Sequence, residues 1–204
     1  MKRELRSELM DYMLGKLKDN SAFQAARSAK NKSQVFRPIM IYGGQTLVGV
    51  REATGKNDGR MIELIQDTVG GADRAPYCMS GYQTLLAFAE ELTGIKSPLI
   101  ATELCTALWY DTKKNKPDLI VRGLPAPGAA ALWRDIKKGK PAISGHVECV
   151  TAAYNTAWEG IGFNTSGSAY PGGPVVREGN GVYLTKRDYS DKPNRELLGF
   201  IKPI

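Results

Sequence analysis

The fold of this chain is decided by the stretch APYCMSGYQTLLAFAEELTG, residues 75–94. From Tyr82 onward its apolar residues recur at positions 82, 85, 86, 89 and 92, a spacing that predicts a helix with a buried face. Pro76 suits a position just before a helix, because its missing N–H costs nothing there. Gly94 supplies a residue that ends one. We therefore expect a buried helix that begins at or beside Cys78.

Cys78 would lie at the positive end of that helix, among backbone N–H groups that have no helical partners. Both effects favour the thiolate, which is the form of cysteine that attacks a carbonyl. The same N–H groups can bind the oxyanion that such an attack produces. A thiol nucleophile also needs a base, and the chain contains a single histidine, His146. We expect its imidazole to come within bonding distance of the Cys78 sulfur.

Composition places the chain among ordinary globular proteins, since 42% of its 204 residues are hydrophobic and 24% are charged. The net charge of +7 suits a polyanionic partner such as nucleic acid, an anionic membrane or an anionic cell wall. No apolar run approaches the roughly 18 residues that a membrane helix needs, and the N-terminus has no apolar signal-peptide region. We therefore expect no transmembrane segment, no signal peptide and synthesis in the cytoplasm.

The cysteines show no metal-ligand spacing, and with only one histidine a zinc site is not expected. The sequence thus predicts no metal and no cofactor. Cys105 lies in a helix-like apolar segment and Cys149 in a strand-like run, so both are interpreted as small buried hydrophobic residues.

The order of elements along the chain predicts an α+β fold, with helices first and an antiparallel sheet after them. Residues 1–34 form a basic helical arm and residues 35–204 the main domain. Residues 35–45, which contain Pro38 and two adjacent glycines, are expected to be extended and turn-like. Further helices are predicted at 61–65 and 98–111. Strands are predicted at 119–121, 129–133, 142–150, 181–187 and 197–201, with a turn and a strand at 154–162 and a loop at 169–180.

The residues around Cys78 and His146 resemble the CHAP and NlpC-type cysteine amidohydrolases and peptidases that cut bacterial peptidoglycan. The resemblance covers about residues 46–202 and lies in the order of its motifs: residues 51–59, then Pro76-Tyr77-Cys78, Leu124-Pro125-Ala126-Pro127-Gly128, Ser144-Gly145-His146-Val147, Gly162-Phe163-Asn164-Thr165-Ser166-Gly167, and the tail at 177–183 and 198–201. It implies a papain-like fold, with the catalytic cysteine at a helix N-terminus. Two positions depart from the family pattern: Ala129 stands where the family has Asp, and Gly162 where it has Glu.

The resemblance implies that Cys78 is the nucleophile, that His146 is the base, and that Tyr77 lines the substrate cleft. The residue that orients the imidazole stays open. Asn164 matches the family's Asn and is the preferred orienter. Glu148 is the alternative, because it shares a strand face with His146, and Glu159 is a weaker third choice.

By the same resemblance the protein is expected to be a peptidoglycan hydrolase, either an amidase or an endopeptidase, and specifically a phage endolysin. It would bind peptidoglycan and the anionic wall surface, and act in the periplasm or cell wall after release from the host cytoplasm. The alternatives are a virion-associated wall hydrolase, an injected antibacterial toxin, or a non-enzymatic basic binding module that uses residues 1–34. No nucleic-acid fold signature is present, so no nucleic-acid partner is expected.

Overall fold

The computed structural model describes residues 2–166, 179–192 and 194–204. Within them the helices precede the strands, which confirms the predicted α+β fold. The helices are α1 (Ser7–Leu17), α2 (Ser21–Ser28), α3 (Lys32–Leu47), α4 (Arg60–Asp67), α5 (Cys78–Thr93) and α6 (Cys105–Asn115), and a 3₁₀ turn (Pro117–Leu119) follows. The strands are β1 (Ala130–Lys137), β2 (Lys140–Ala153), β3 (Ala157–Thr165), β4 (Gly181–Asp188) and β5 (Arg195–Ile201).

The five strands form one antiparallel sheet in the order β4-β3-β2-β1-β5. Strands β1 to β4 follow one another as neighbours, and β5 returns to pair with β1. The strand predictions from residue 129 onward are confirmed. The predicted strand at 119–121 is confirmed only in part. Leu119 ends the 3₁₀ turn, and Ile120 forms a single antiparallel bridge to Ile201 of β5. Most of the loop predicted at 169–180 lies outside the described residues.

The helix that begins at Cys78 is confirmed. Helix α5 is buried along nearly its whole length and ends at Gly94, whose φ of 73° is the left-handed conformation that glycine adopts readily. The prediction at 61–65 is confirmed by α4. The prediction at 98–111 is right only for its second half, since α6 begins at Cys105.

The two faces of the sheet carry different clusters of side chains. One face packs under the helices through residues such as Val147, Cys149 and Phe163. The opposite face carries Trp133 and Trp158, whose rings stack with centroids 5.6 Å apart. Because residues paired across antiparallel strands point to the same side, His146, which pairs with Trp133, belongs to this second face.

The prediction that residues 35–45 are extended is wrong, because these residues lie within α3. Pro38 is inside the helix, and the two adjacent glycines are sites of close packing. A Cβ on Gly43 would lie 2.6 Å from Phe88 Cδ1, and a Cβ on Gly44 would lie 2.7 Å from Ile161 Cδ1. Glycine is therefore needed here so that α3 can lie against its neighbours.

The N-terminal segment packs into the same core as the rest of the chain. Leu9, Met13 and Phe23 are completely buried, and the Phe23 ring stacks on that of Phe88 with centroids 6.3 Å apart. The boundary suggested at residues 34 and 35 falls inside α3. In the part of the chain that the structure describes, no helix has the length and apolar character needed to span a membrane.

Candidate active site

Cys78 is the first residue of α5, as the sequence predicts. The residue before it, Tyr77, makes no side-chain capping hydrogen bond to the helix, so its side chain does not occupy the N–H groups of the first turn. Cys78 is only 4% exposed. Its sulfur lies 4.0 Å from the carbonyl oxygen of Gly145 and 3.9 Å from the sulfur of Cys105. The nucleophile predicted from the sequence therefore faces strand β2 at the position just before His146.

His146 is held on β2 at a point where two strands approach each other closely. A Cβ on Gly145 would lie 2.1 Å from the carbonyl oxygen of Trp133, so a side chain at this position would push β1 and β2 apart. His146 itself is completely buried, with its ring centroid 5.9 Å from that of Trp133. The ring is therefore fixed by packing as well as by polar contacts.

The imidazole interacts with both the Cys78 thiol and the carboxylate of Glu148. Its Nε2 is 3.3 Å from Oε1 of Glu148, while its Nδ1 has no aligned hydrogen-bond partner in residues 2–166, 179–192 and 194–204. Burial lowers the pKa of His146, but hydrogen bonding to Cys78 and Glu148 and the negative charge on both outweigh this effect and leave the pKa raised. The surroundings therefore favour the imidazolium, which is the form that pairs with a thiolate.

Glu148 is completely buried, and side chains from β4 stabilise its negative charge. Arg187 donates to its carboxylate through Nη2 at 2.5 Å and through Nε at 3.2 Å, and the hydroxyl of Thr185 donates to Oε2 at 2.8 Å. Burial raises the pKa of Glu148, but the guanidinium of Arg187 and the contact with His146 lower it to about 2. Glu148 is therefore ionised at neutral pH, and this makes it able to hold a protonated imidazole.

The carboxylate of Glu148 occupies space beside Gly162. Glu148 and Gly162 are directly paired across β2 and β3. A Cβ on Gly162 would lie 3.2 Å from Oε1 of Glu148 and 2.8 Å from a methyl carbon of Thr165. The absence of a side chain at 162 thus makes room for a carboxylate that enters from the neighbouring strand.

Asn164, the preferred orienter in the sequence analysis, makes no side-chain hydrogen bond to the imidazole. It is completely buried with φ at 52°, and neither atom of its side-chain amide has a hydrogen-bond partner in the described part of the chain. Its backbone lies beside the Tyr77 hydroxyl instead. Glu159 lies on the surface, where its carboxylate pairs with Lys186 at 3.4 Å. The geometry thus favours Glu148 over both.

Tyr77, expected to line the substrate cleft, is buried and turned towards the segment that follows α3. Its hydroxyl lies 3.1 Å from Oε1 of Glu52, whose other oxygen accepts a hydrogen bond from the backbone N–H of Asn57. Burial and the nearby carboxylate raise the pKa of Tyr77, so its hydroxyl stays protonated and donates to Glu52. An open polar depression of about 600 Å³ is lined by Asn57 of this segment, by residues of α4 and by Arg74, and Cys78 is not part of its lining.

Sequence reasoning missed Arg187, Thr185 and the proximity of Cys105 to Cys78. Arg187 and Thr185 could have been recognised from β4, where polar residues take the inward positions and an apolar residue points outward. Leu184 points outward with 61% of its surface exposed, while Thr185 and Arg187 are almost or completely buried. Polar residues on the inward positions of a strand indicate a buried polar network. No comparable local signal links Cys105 to Cys78.

No family model, no curated protein and no solved structure matches the chain.

Proposed function

We propose that this protein is a cysteine-dependent hydrolase that cleaves an amide bond, and that its substrate is bacterial peptidoglycan. The observation that carries the proposal is the row of contacts from Cys78 through His146 to Glu148. A thiol at a helix start, a buried imidazole and an ionised carboxylate form the nucleophile, base and orienter that acyl transfer by a thiol requires.

In the first half of the reaction the Cys78 thiol transfers its proton to His146. The resulting thiolate attacks the amide carbonyl carbon, and a bond forms between sulfur and carbon. The oxyanion is stabilised by N–H groups in the first turn of α5, which Tyr77 does not cap. The C–N bond then breaks as His146 returns its proton to the departing amine, and a thioester on Cys78 remains.

In the second half a water molecule loses a proton to His146 and attacks the thioester. The S–C bond breaks, the carboxylic acid product leaves, and the thiolate of Cys78 is regenerated beside the imidazolium. Glu148 stabilises the imidazolium at each stage and keeps the ring in one orientation. Arg187 and Thr185 hold Glu148 in turn.

The substrate is inferred from the motif order and from charge. The sequence resembles peptidoglycan-cutting amidohydrolases and peptidases in the motifs around Cys78 and His146, and a net charge of +7 favours approach to an anionic wall. The choice between amidase and endopeptidase, and the role as a phage endolysin, are parts of this proposal that the digestion products and genomic neighbours would test.

The test is loss of turbidity of purified bacterial cell walls. Cys78→Ala removes the nucleophile, and we expect the rate to fall by at least about 10³-fold with an unchanged circular dichroism spectrum. Cys149→Ala is the matched control, because it makes the same change at another buried cysteine outside the site, and its rate should stay near that of the wild type. Undiminished lysis by Cys78→Ala would refute the proposal. Mass spectrometry of the released muropeptides identifies the bond that is cut.

A further inference from the structure

A second buried thiol lies against the proposed nucleophile and has no part in the proposed mechanism. The sulfur of Cys105 is 3.9 Å from that of Cys78, and the two residues are 3% and 4% exposed. Each cysteine is also the first residue of a helix, Cys78 of α5 and Cys105 of α6. Two helix N-termini therefore converge on one pair of sulfur atoms.

The position of Cys105 is set by the same strand that carries His146. The hydroxyl of Thr106 donates to the carbonyl oxygen of Ile143 at 2.5 Å, which ties the first turn of α6 to β2. Two residues further along β2, the carbonyl oxygen of Gly145 lies 4.0 Å from the sulfur of Cys78. The starts of both helices are thus anchored on a short segment of one strand, and the two sulfurs are held close together.

We propose that Cys78 and Cys105 form an oxidation site, in which hydrogen peroxide converts the two thiols into a reversible disulfide. A disulfide has an S–S distance of about 2.05 Å, so the sulfurs must approach by about 1.9 Å from their separation of 3.9 Å. This movement requires side-chain rotation at the starts of α5 and α6. Loss of hydrolysis on oxidation is the part of the inference that rests on the proposed function, since the disulfide consumes its nucleophile.

The chemistry proceeds in two balanced steps. The Cys78 thiolate attacks one oxygen of the peroxide, so that an S–O bond forms, the O–O bond breaks, and the departing hydroxide takes the proton of the His146 imidazolium to become water. Cys105 then attacks the sulfur of the Cys78 sulfenic acid. The S–S bond forms, the S–O bond breaks, and the hydroxide released takes the Cys105 proton to give a second water. The two thiols lose two electrons, and the peroxide gains them.

Cys149 is the internal control. It lies on β2 within the core beneath the helices, and its thiol is directed to the carbonyl oxygen of Val150 at 3.8 Å. Burial raises the pKa of Cys149 to about 12. Because the thiolate is the reactive form, Cys149 should stay reduced under conditions that oxidise the pair.

The experiment treats the full chain with a small excess of hydrogen peroxide, alkylates it in denaturant, and maps the cysteines by mass spectrometry. Before alkylation, the intact protein should be about 2 Da lighter, because two hydrogens are removed. After alkylation, the map should contain a linked peptide pair with Cys78 and Cys105, and an alkylated Cys149. Dithiothreitol should reverse the change. The Cys105→Ser variant should form no linked peptides, and its Cys78 should proceed to sulfinic acid, which dithiothreitol does not reduce.

The outcomes separate this inference from the proposed function. A Cys78–Cys105 disulfide in a protein that never degrades cell walls would support the oxidation site and refute the hydrolase. If wall hydrolysis is real, peroxide should abolish it in wild type and dithiothreitol should restore it, whereas in Cys105→Ser the loss should be permanent. Over-oxidised Cys78 beside an alkylated Cys105 in the wild-type protein would overturn the inference.

Discussion

Glu148 sets the electrostatics of the candidate site. It is the only carboxylate that the described residues place against the His146 ring, and its own charge depends on Arg187. The contact from Nε2 to Oε1 leaves Nδ1 as the atom available to the Cys78 proton. A carboxylate that holds one ring nitrogen leaves the other to take the thiol proton, and its charge keeps the imidazole protonated once the thiolate forms.

The orienting role proposed for Glu148 predicts a change in the pH dependence of the proposed hydrolysis. In the proposed mechanism the active state pairs a thiolate with an imidazolium, so activity should be lost as pH rises through the pKa of His146, which the site raises above its ordinary 6.5. Glu148→Asp keeps a charge near Arg187 but withdraws the carboxylate from the ring by one methylene. We expect the alkaline limb of the kcat/KM profile to move to lower pH by about one unit.

Asn164→Ala is the control for this measurement. Because the Asn164 amide makes no hydrogen bond in the described part of the chain, its removal should leave the alkaline limb in place. A shifted limb in Asn164→Ala together with an unshifted one in Glu148→Asp would assign the orienting role to Asn164 instead.

At the level of single residues, the sequence predicts the half of the site whose chemistry is local. The start of a helix can be recognised from nearby residues, so Cys78 is found at its N-terminus, and His146 follows as the only histidine. The other half depends on which strands lie side by side. Glu148 pairs with Gly162 across two strands, and Arg187 reaches Glu148 from β4. Both contacts depend on the register of the strands, and the spacing of residues along the chain does not determine that register.

At the level of elements, α3 shows how two local signals can mislead. Its buried residues recur with helical spacing at positions 36, 39, 40, 43, 44 and 47, but Pro38 and the adjacent glycines suggested a turn. A proline inside a helix costs about 3 kcal/mol, and in this chain tertiary packing outweighs that cost. This packing involves residues far away in the sequence, so local propensity did not predict the helix.

The close packing at Gly43 predicts that a glycine-to-alanine substitution there destabilises the fold, the opposite of its usual effect in a helix. In an exposed helix this change stabilises by about 0.5–1 kcal/mol. At Gly43 the new Cβ would meet Phe88 at 2.6 Å and Met13 at 2.8 Å, so we expect Gly43→Ala to lower the free energy of unfolding by about 1–3 kcal/mol. Urea denaturation measures it.

Gly15 in α1 offers the matched control, since a Cβ there would meet no atom within 4 Å. Gly15→Ala should therefore raise the free energy of unfolding by about 0.5–1 kcal/mol. Equal stabilisation by the two substitutions would show that α3 does not pack against Phe88 as the structure has it.

At the level of the whole molecule, the N-terminal segment is tied to α5, the helix that begins with the proposed nucleophile Cys78. Arg3 forms an ion pair with Glu90 of α5 and donates to the side chain of Gln83 at 2.6 Å and to the carbonyl oxygen of Leu99 at 2.9 Å. The side chains of Arg3 and Glu90 are only 6% and 5% exposed. The first residues of the chain therefore complete a polar cluster on the buried helix.

Arg3→Ala should consequently destabilise the entire fold. The substitution leaves the buried carboxylate of Glu90 with Lys96, at 3.5 Å, as its remaining ion-pair partner among the described residues, and Lys96 is largely exposed. Breaking a buried pair on one side costs about 3–5 kcal/mol, and because Lys96 compensates in part we expect a loss of about 3 kcal/mol. Arg6→Ala is the control, because Arg6 pairs with Asp67 on the surface, where ion pairs contribute about 0–1 kcal/mol. Thermal unfolding of the full chain should show one transition, strongly lowered in Arg3→Ala and almost unmoved in Arg6→Ala. Equal, small shifts in both variants would mean that the segment before α1 does not hold α5 in place.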